Sequence, residues 1–260
     1  MGRKSKAALA ILGSAIFSQI VFLSQSHRFI VEYDDNEHTL KRPSSKKSVA
    51  VREQVVKDGS IPVFYNLFVA NESDSSRVLD IVTEQKALLR PEHKPFFIQS
   101  IGPFELKIPD ATVLGHSRFG DEMITLNSLW DYCKRNQWVD MVVYLHSKGS
   151  LRNTQENENL RKFVTAGALS KECASMDPSM CNVCSSRFSP LPHPHTSGNM
   201  WLARCDYVRK LIDPLDFERR MDEFTTNCTE EAKESCDGRL RFSAEHWIHS
   251  HPSVKVRKNG

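Results

Sequence analysis

The sequence lacks a strong excess of charge of either sign. Its 35 Lys and Arg residues stand against 32 Asp and Glu, so the formal net charge is only +3 over 260 residues. Nucleic-acid-binding proteins carry a marked basic excess, so we expect no nucleic-acid partner. Hydrophobic residues make up 40% and charged residues 26% of the chain, which excludes a disordered chain, a collagen and a polytopic membrane protein.

Several catalytic and nucleotide-binding motifs are also missing. The chain has no GxSxG, HExxH, GxGxxG or GxxxxGK[ST] sequence. These absences argue against an α/β-hydrolase, a zincin protease, a dinucleotide-binding enzyme and a P-loop NTPase. No Asp-x-Asp sequence occurs either.

Cysteine does not occur before residue 133. The seven cysteines are Cys133, Cys173, Cys181, Cys184, Cys205, Cys228 and Cys236. Two N-glycosylation sequons, Asn71-Glu72-Ser73 and Asn227-Cys228-Thr229, agree with a secretory route. The oxidising lumen of that route favours disulfides. Because seven is an odd number, at least one thiol stays unpaired or bridges to another chain.

A CxxC sequence precedes a pair of histidines. Cys181, Cys184, His193 and His195 offer the thiolates and imidazoles that zinc prefers, which is one interpretation of the segment. The short gap between the two pairs and the oxidising compartment favour disulfides instead. We expect no metal ligand here, and disulfide partners among Cys173, Cys205, Cys228 and Cys236.

The N-terminus predicts a membrane anchor. Residues 1–6 carry three cations and residues 7–23 carry no charge. Seventeen uncharged residues approach the length of about 20 that spans a bilayer, and the basic flank favours a cytoplasmic N-terminus. We expect a type II signal anchor, with a cleaved signal peptide as the alternative. The polar residues 24–58 predict a stem, and residues 59–260 a lumenal domain.

From residue 60 onward, strand and helix patterns alternate, which predicts a three-layer α/β domain with a mostly parallel sheet. Strands are predicted over 61–69, 96–101, 139–145 and 196–203, and helices over 73–89, 121–136, 157–169, 206–212 and 215–224. The run over 139–145 is apolar almost throughout, as in a central parallel strand.

Polar residues that follow the strands are candidates for a site, because ligands of such sheets bind beyond the carboxyl ends of the strands. His146 and Lys148 follow the central strand, and Gly149 lets a backbone approach a phosphate. This pattern indicates an anion site, with an ordinary basic turn as the alternative. Glu245, which stands beside the bulky His246 and Trp247, is a candidate general base, with a surface helix residue as the alternative.

Three segments together resemble a group of glycosyltransferase-like type II membrane proteins. They are Val143–Gly149 with its Tyr-Leu-His-Ser-Lys-Gly sequence, His195–Ala203 with its Ser-Gly-Asn-Met-Trp-Leu-Ala sequence, and Ala244–Ile248. Ile61–Tyr65 and Glu84-Gln85 are also similar to the opening strand and helix of that group. The similarity runs from about residue 61 to residue 252.

The resemblance implies a GT-A-like fold and a nucleotide-sugar donor, in a protein anchored in the Golgi or endoplasmic reticulum membrane. A glycan or glycoprotein is the implied acceptor. The implied roles are donor-phosphate binding by His146 and Lys148, substrate binding by His195, Ser197, Gly198, Asn199 and Trp201, and base catalysis by Glu245. The absent Asp-x-Asp removes the usual Mn²⁺ ligands, so the requirement for Mn²⁺ stays open. The alternative is a non-catalytic lumenal carbohydrate-binding domain with Trp201 and Trp247 as stacking faces.

Overall fold

The computed structural model describes residues 59–191, 193–224 and 242–251. The predicted cytoplasmic tail (1–6), signal anchor (7–23) and stem (24–58) lie outside the described residues, as do the second sequon, Cys228 and Cys236. Among the described residues, no helix has the length and apolarity to cross a membrane.

A six-stranded sheet forms the centre of the domain, in the order β3-β2-β1-β4-β6-β5. The strands are β1 (Val63–Phe68), β2 (Phe96–Ile101), β3 (Thr112–Ser117), β4 (Met141–His146), β5 (Val183–Cys184) and β6 (Trp201–Arg204). Strands β1 to β4 pair in parallel, whereas β6 is antiparallel to both β4 and β5. The predicted α/β class and the mainly parallel sheet are therefore confirmed.

Helices flank this sheet. They are α1 (Ser75–Lys86), α2 (Glu122–Arg135), α3 (Gln155–Ala168), α4 (Lys171–Ala174), α5 (Cys205–Val208), α6 (Pro214–Phe224) and α7 (Ser243–Trp247). Local chemistry sets where two of them begin. The Asp121 carboxylate accepts a hydrogen bond from the backbone N–H of Met123, and the Thr154 hydroxyl accepts one from Asn157, so each caps its helix.

Alternate residues of the central strands bury their side chains in two separate cores. Phe64, Tyr144 and Trp201 pack with α2, α5, α6 and α7 on one face. Tyr65 and Leu145 pack with α1 and α3 on the other. This alternation gives three layers and explains why the central strands are apolar throughout.

The structure corrects three parts of the predicted secondary structure. The predicted strand over 196–203 begins only at Trp201, because Gly198 and Asn199 have positive φ angles of 86° and 40° that an extended strand does not adopt. Strand β3 was not predicted, since it is an edge strand without a buried apolar run. The predicted helix over 206–212 is only the short α5.

Two disulfides connect four of the five described cysteines. Cys133 of α2 pairs with Cys205 of α5, and Cys173 of α4 pairs with Cys184 of β5. Cys181 is a half-buried thiol whose Sγ lies 2.9 Å from the Val183 carbonyl oxygen. Because the Cys184 sulfur is in a disulfide, the alternative of a zinc site at the CxxC sequence is wrong. The disulfides indicate an oxidising extracellular or lumenal environment.

Candidate functional site

The site lies where the strand order of the sheet reverses direction. From β1 the chain proceeds to β2 and β3 on one side, and then returns to place β4 on the other side of β1. Asn66 of β1 and His146 of β4 are paired in register at the carboxyl ends of the two strands. In open α/β sheets such a switch point leaves a crevice in which ligands bind.

A cavity of about 330 Å³ occupies this position. Its lining residues are Asn66, Phe68, 120–122, 146–152, Asn157, Phe242 and Glu245. They come from the ends of β1 and β4, the start of α2, the loop and helix that follow β4, and the region of α7. The cavity includes four residues that the sequence singled out, namely His146, Lys148, Gly149 and Glu245.

Two arginines from outside the cavity hold the loop that contains Lys148. Arg77 donates to the carbonyl oxygens of Gly149 and Ser150 at 2.7 and 2.6 Å. Arg161 donates to the Lys148 carbonyl oxygen at 3.0 Å. Charged donors make strong hydrogen bonds of this kind. The loop is thus fixed through its backbone, and neither guanidinium lines the cavity.

His146 is held between two oxygen atoms. Its Nδ1 lies 3.3 Å from Oε1 of Glu122, and its Nε2 lies 2.9 Å from the Gly198 carbonyl oxygen. Glu122 Oε2 accepts hydrogen bonds from Asn199 at 2.7 Å and from the Tyr144 hydroxyl at 3.0 Å. Glu122 therefore joins α2, β4 and the loop before β6, and the sequence analysis missed it. The available signal was an acidic pair, Asp121-Glu122, at a helix start.

A buried glutamine supports the strand end from the opposite face. Gln85 of α1 accepts a 2.6 Å hydrogen bond from the Tyr65 hydroxyl and donates to Thr165 at 2.8 Å. The same amide nitrogen lies 3.4 Å from the His146 carbonyl oxygen. Gln85 belongs to the helix segment that carried the family resemblance, and its role here is to tie α1 and α3 to the end of β4.

The Ser-Gly-Asn-Met-Trp segment lies next to the cavity and contacts residues of its lining. Ser197, Gly198 and Asn199 form the loop before β6, and none of them is among the lining residues. Trp201 is 0% exposed, and its indole N–H donates to Asn199 Oδ1 at 3.0 Å. Since Trp201 has no face open to a ligand, its observed role is to orient Asn199, which in turn contacts Glu122.

Glu245 reaches the cavity from α7. Its Oε1 accepts a 3.0 Å hydrogen bond from the Gly198 backbone N–H, and its carbonyl oxygen accepts one from Thr196 at 2.8 Å. Gly198 thus contacts Glu245 through its N–H and His146 through its carbonyl oxygen. Its φ of 86° lies in the left-handed region that favours glycine.

His195 lies away from the cavity, in a cluster of histidines. Its ring centroid is 5.1 Å from that of His246, which is 4.6 Å from that of His193. His249 Nε2 lies 2.8 Å from the Thr196 hydroxyl. Burial lowers the pKa of His246 and that of His249 to about 4, because the charged imidazolium loses its hydration.

The cavity lining carries charges of both signs. Lys148 and Arg152 supply positive charge from the loop after β4, and Asp121, Glu122 and Glu245 supply carboxylates. No group of three His, Cys, Asp or Glu side chains that could hold a metal ion is found in the described ranges. Such a lining suits a ligand that combines an anionic group with hydroxyl groups.

The acidic side of the cavity continues toward α6 through the carboxyl groups of Asp121 and Glu218. Asp121 shares a hydrogen bond with Glu218. Burial, reinforced by the charges of Asp121 and Asp222, raises the pKa of Glu218 to about 7. Burial likewise raises the pKa of Asp121.

The fold and the cavity define a mixed α/β domain with a polar cavity at the switch point of its sheet. A family model described as a domain of unknown function, DUF8361, matches residues 64–256, and the chain belongs to this family. A comparison with curated proteins gave no match.

Proposed function

We propose that the domain is a membrane-anchored glycosyltransferase of the hexosyltransferase type, acting in the Golgi or endoplasmic reticulum on a glycan or glycoprotein. The proposal depends mainly on one observation: Lys148 and Glu245 line the same cavity at the sheet's switch point. A six-stranded, mainly parallel sheet with helices on both faces is compatible with the GT-A-like fold that the resemblance implies. The two disulfides suit a lumenal domain.

The donor's diphosphate is assigned to the cationic side of the cavity. Lys148 is half-buried there and Arg152 is exposed, so both offer charged donors to phosphate oxygens. His146 has its two ring nitrogens within reach of Glu122 and Gly198 oxygens. Its contribution is therefore to position the strand end rather than to bind phosphate directly.

The proposed reaction breaks the bond between the sugar's anomeric carbon and the nucleoside diphosphate, and forms a bond to an acceptor oxygen. The leaving diphosphate gains negative charge in the transition state, and Lys148 stabilises that charge more than the ground state. Glu245 takes the proton of the acceptor hydroxyl on Oε2, while the Gly198 N–H holds Oε1. No step is assigned to a metal ion.

The test is nucleotide binding by the full-length chain in detergent. Thermal unfolding is followed with UDP, GDP, CMP and their sugar conjugates, with and without Mn²⁺, because a ligand of the folded state raises the melting temperature. We expect one nucleotide class to stabilise the protein, and the comparison with Mn²⁺ decides whether the metal contributes. Absence of stabilisation by every nucleotide would contradict the proposal.

Two variants assign the roles. Lys148→Ala removes a charged partner of phosphate, so we expect a loss of affinity of about tenfold or more. Lys107→Ala, at an exposed position outside the cavity, is the matched control. Glu245→Gln retains an oxygen acceptor for the Gly198 N–H but cannot act as a base, so it should bind the nucleotide normally and transfer no sugar.

A non-catalytic carbohydrate-binding domain is the alternative. In that case glycans would stabilise the protein and nucleotides would not. Stacking by Trp201 and Trp247 does not support this alternative, because both side chains are 0% exposed.

A further inference from the structure

The Asn71-Glu72-Ser73 sequon lies on the surface just beyond the carboxyl end of β1. All three residues are exposed, and Glu72–Asp74 forms a single turn of 3-10 helix. Asn71 itself is extended, with φ −135° and ψ 151°. The middle residue is not proline, as the acceptor sequence requires. We infer that Asn71 carries an N-linked glycan.

The local hydrogen bonds are compatible with this modification. Glycosylation joins Nδ2 of Asn71 to the anomeric carbon of an oligosaccharide. It breaks that carbon's bond to the diphosphate of a lipid-linked donor and releases one amide proton. The second amide hydrogen remains, and Nδ2 already donates to Asp74 Oδ2 at 3.2 Å in an exposed position. The sugar can therefore be attached without displacing a buried group.

The compartment supports the same inference. N-glycosylation occurs in the secretory pathway, and the disulfides Cys133–Cys205 and Cys173–Cys184 indicate that this domain folds in an oxidising environment. An exposed sequon in such a domain meets the glycosylation machinery during synthesis. A glycan is bulky and solubilising, so a surface position is needed.

The glycan would flank the cavity without filling it. Phe68, three residues earlier, lines the cavity, whereas Asn71 does not. Asp74 also pairs with Arg77 at 2.8 Å, and Arg77 holds the carbonyl oxygens of Gly149 and Ser150. The carbohydrate thus lies on the α1 side of the cavity. The side formed by α2 and α7, which carries the carboxylates, remains accessible.

The experiment uses the full chain expressed in eukaryotic cells. Wild type, Asn71→Gln, Ser73→Ala and Asn153→Gln are compared by gel mobility before and after treatment with a peptide-N-glycosidase, which hydrolyses the amide bond between asparagine and the glycan and leaves aspartate. Asn153 is exposed but has Gln155 two positions later, so it is a control without a sequon. Ser73→Ala destroys the sequon while keeping the Asn71 side chain and its contact with Asp74.

We expect the Asn71 and Ser73 variants to run lower than wild type by the mass of one glycan, and Asn153→Gln to match wild type. After digestion all four should run together, and mass spectrometry should find residue 71 of the wild type converted to aspartate. A second glycan at Asn227 would be present in every sample and would leave these differences unchanged. Identical mobility of all four before digestion, with unmodified Asn71 in the peptide, would overturn the inference.

Discussion

Glu122 accepts a 2.7 Å hydrogen bond from Asn199, a residue 77 positions later in the chain. The contact brings the start of α2 to the loop before β6, and it places the same carboxylate beside Nδ1 of His146. Three separate parts of the chain therefore meet at one side chain in the lining of the cavity. The His146 ring is thus held by this junction in addition to its place at the end of strand β4.

Replacement of Glu122 by alanine should destabilise the domain. Asn199 and Tyr144 would lose their acceptor, and a polar group that is left unsatisfied in a buried position costs about 1–3 kcal/mol. We expect the free energy of unfolding in urea to fall by that amount. Glu105→Ala, on an exposed loop, should change it by less than about 0.5 kcal/mol. Equal stabilities of the two variants would contradict the role of Glu122.

Gly198→Ala should also be destabilising. At φ 86° an L-residue costs about 1–2 kcal/mol, and the new methyl group would lie 3.3 Å from Val164 Cγ1. The control is Gly115→Ala in β3, where the methyl group meets Gln99 at an ordinary 3.5 Å and no positive φ is required. This control should be neutral or slightly stabilising. Thermal unfolding compares the two, and a stable Gly198→Ala protein would show that the loop relaxes.

The strands and helices that were correctly predicted from the sequence are those with a regular pattern of buried apolar side chains. Strand β2 has the predicted bounds, and α2 and α3 lie within two residues of theirs. Strand β3 was not predicted, because an edge strand buries few apolar side chains. Its Val113 remains 49% exposed. Whether such a segment forms a strand depends on its packing against the rest of the sheet rather than on its local sequence pattern.

The candidate site was predictable only in part. His146, Lys148 and Glu245 follow or lie near recognisable elements, and all three line the cavity. The resemblance implies substrate binding by Trp201, but the side chain of Trp201 lies in the core against Tyr144 and Trp247. Long-range contacts such as Glu122 with Asn199 are set by the topology, and no local spacing reveals them.

The two disulfides should differ in their contribution to stability. Cys133–Cys205 spans 72 positions and Cys173–Cys184 spans 11. In the chain-entropy description, loops of these sizes correspond to about 4 and about 3 kcal/mol. The double variant Cys133→Ala/Cys205→Ala should therefore lose more stability than Cys173→Ala/Cys184→Ala. Urea unfolding of both under oxidising conditions measures this, and the reverse order would show that native packing outweighs loop length.

Replacement of Glu218 by glutamine should stabilise the domain at alkaline pH. In the folded protein the pKa of Glu218 is about 7, against 4.5 ordinarily. A raised pKa gives stability below pH 4.5 that is lost as the pH rises through 7. Glutamine stays neutral, so we expect a gain of about 1–2 kcal/mol at pH 8. The gain should vanish near pH 4.5. A constant difference between the two proteins from pH 4.5 to 8 would contradict this assignment.

Acid should loosen the contact between α7 and the loop before β6. The pKa of His246 and that of His249 are each lowered to about 4 by burial. A lowered pKa gives stability that is complete above pH 6.5 and is lost as the pH falls toward 4. His246 Nδ1 lies 3.0 Å from the Pro194 carbonyl oxygen, and its ring lies beside those of His193 and His195. A charge added to His246 is therefore placed beside two other imidazoles and is poorly hydrated.

The measurement is the free energy of unfolding between pH 7.5 and 4.5 for wild type and His246→Asn. Asparagine can donate to the Pro194 carbonyl oxygen but gains no charge, so the variant should lose about 1–3 kcal/mol less than wild type over this range. Carboxyl groups that titrate below pH 5 affect both proteins alike, and the difference between the two curves isolates the histidine. Parallel curves would show that protonation of His246 does not lower the free energy of unfolding. Acid would then leave the contact between α7 and the Gly198 loop intact.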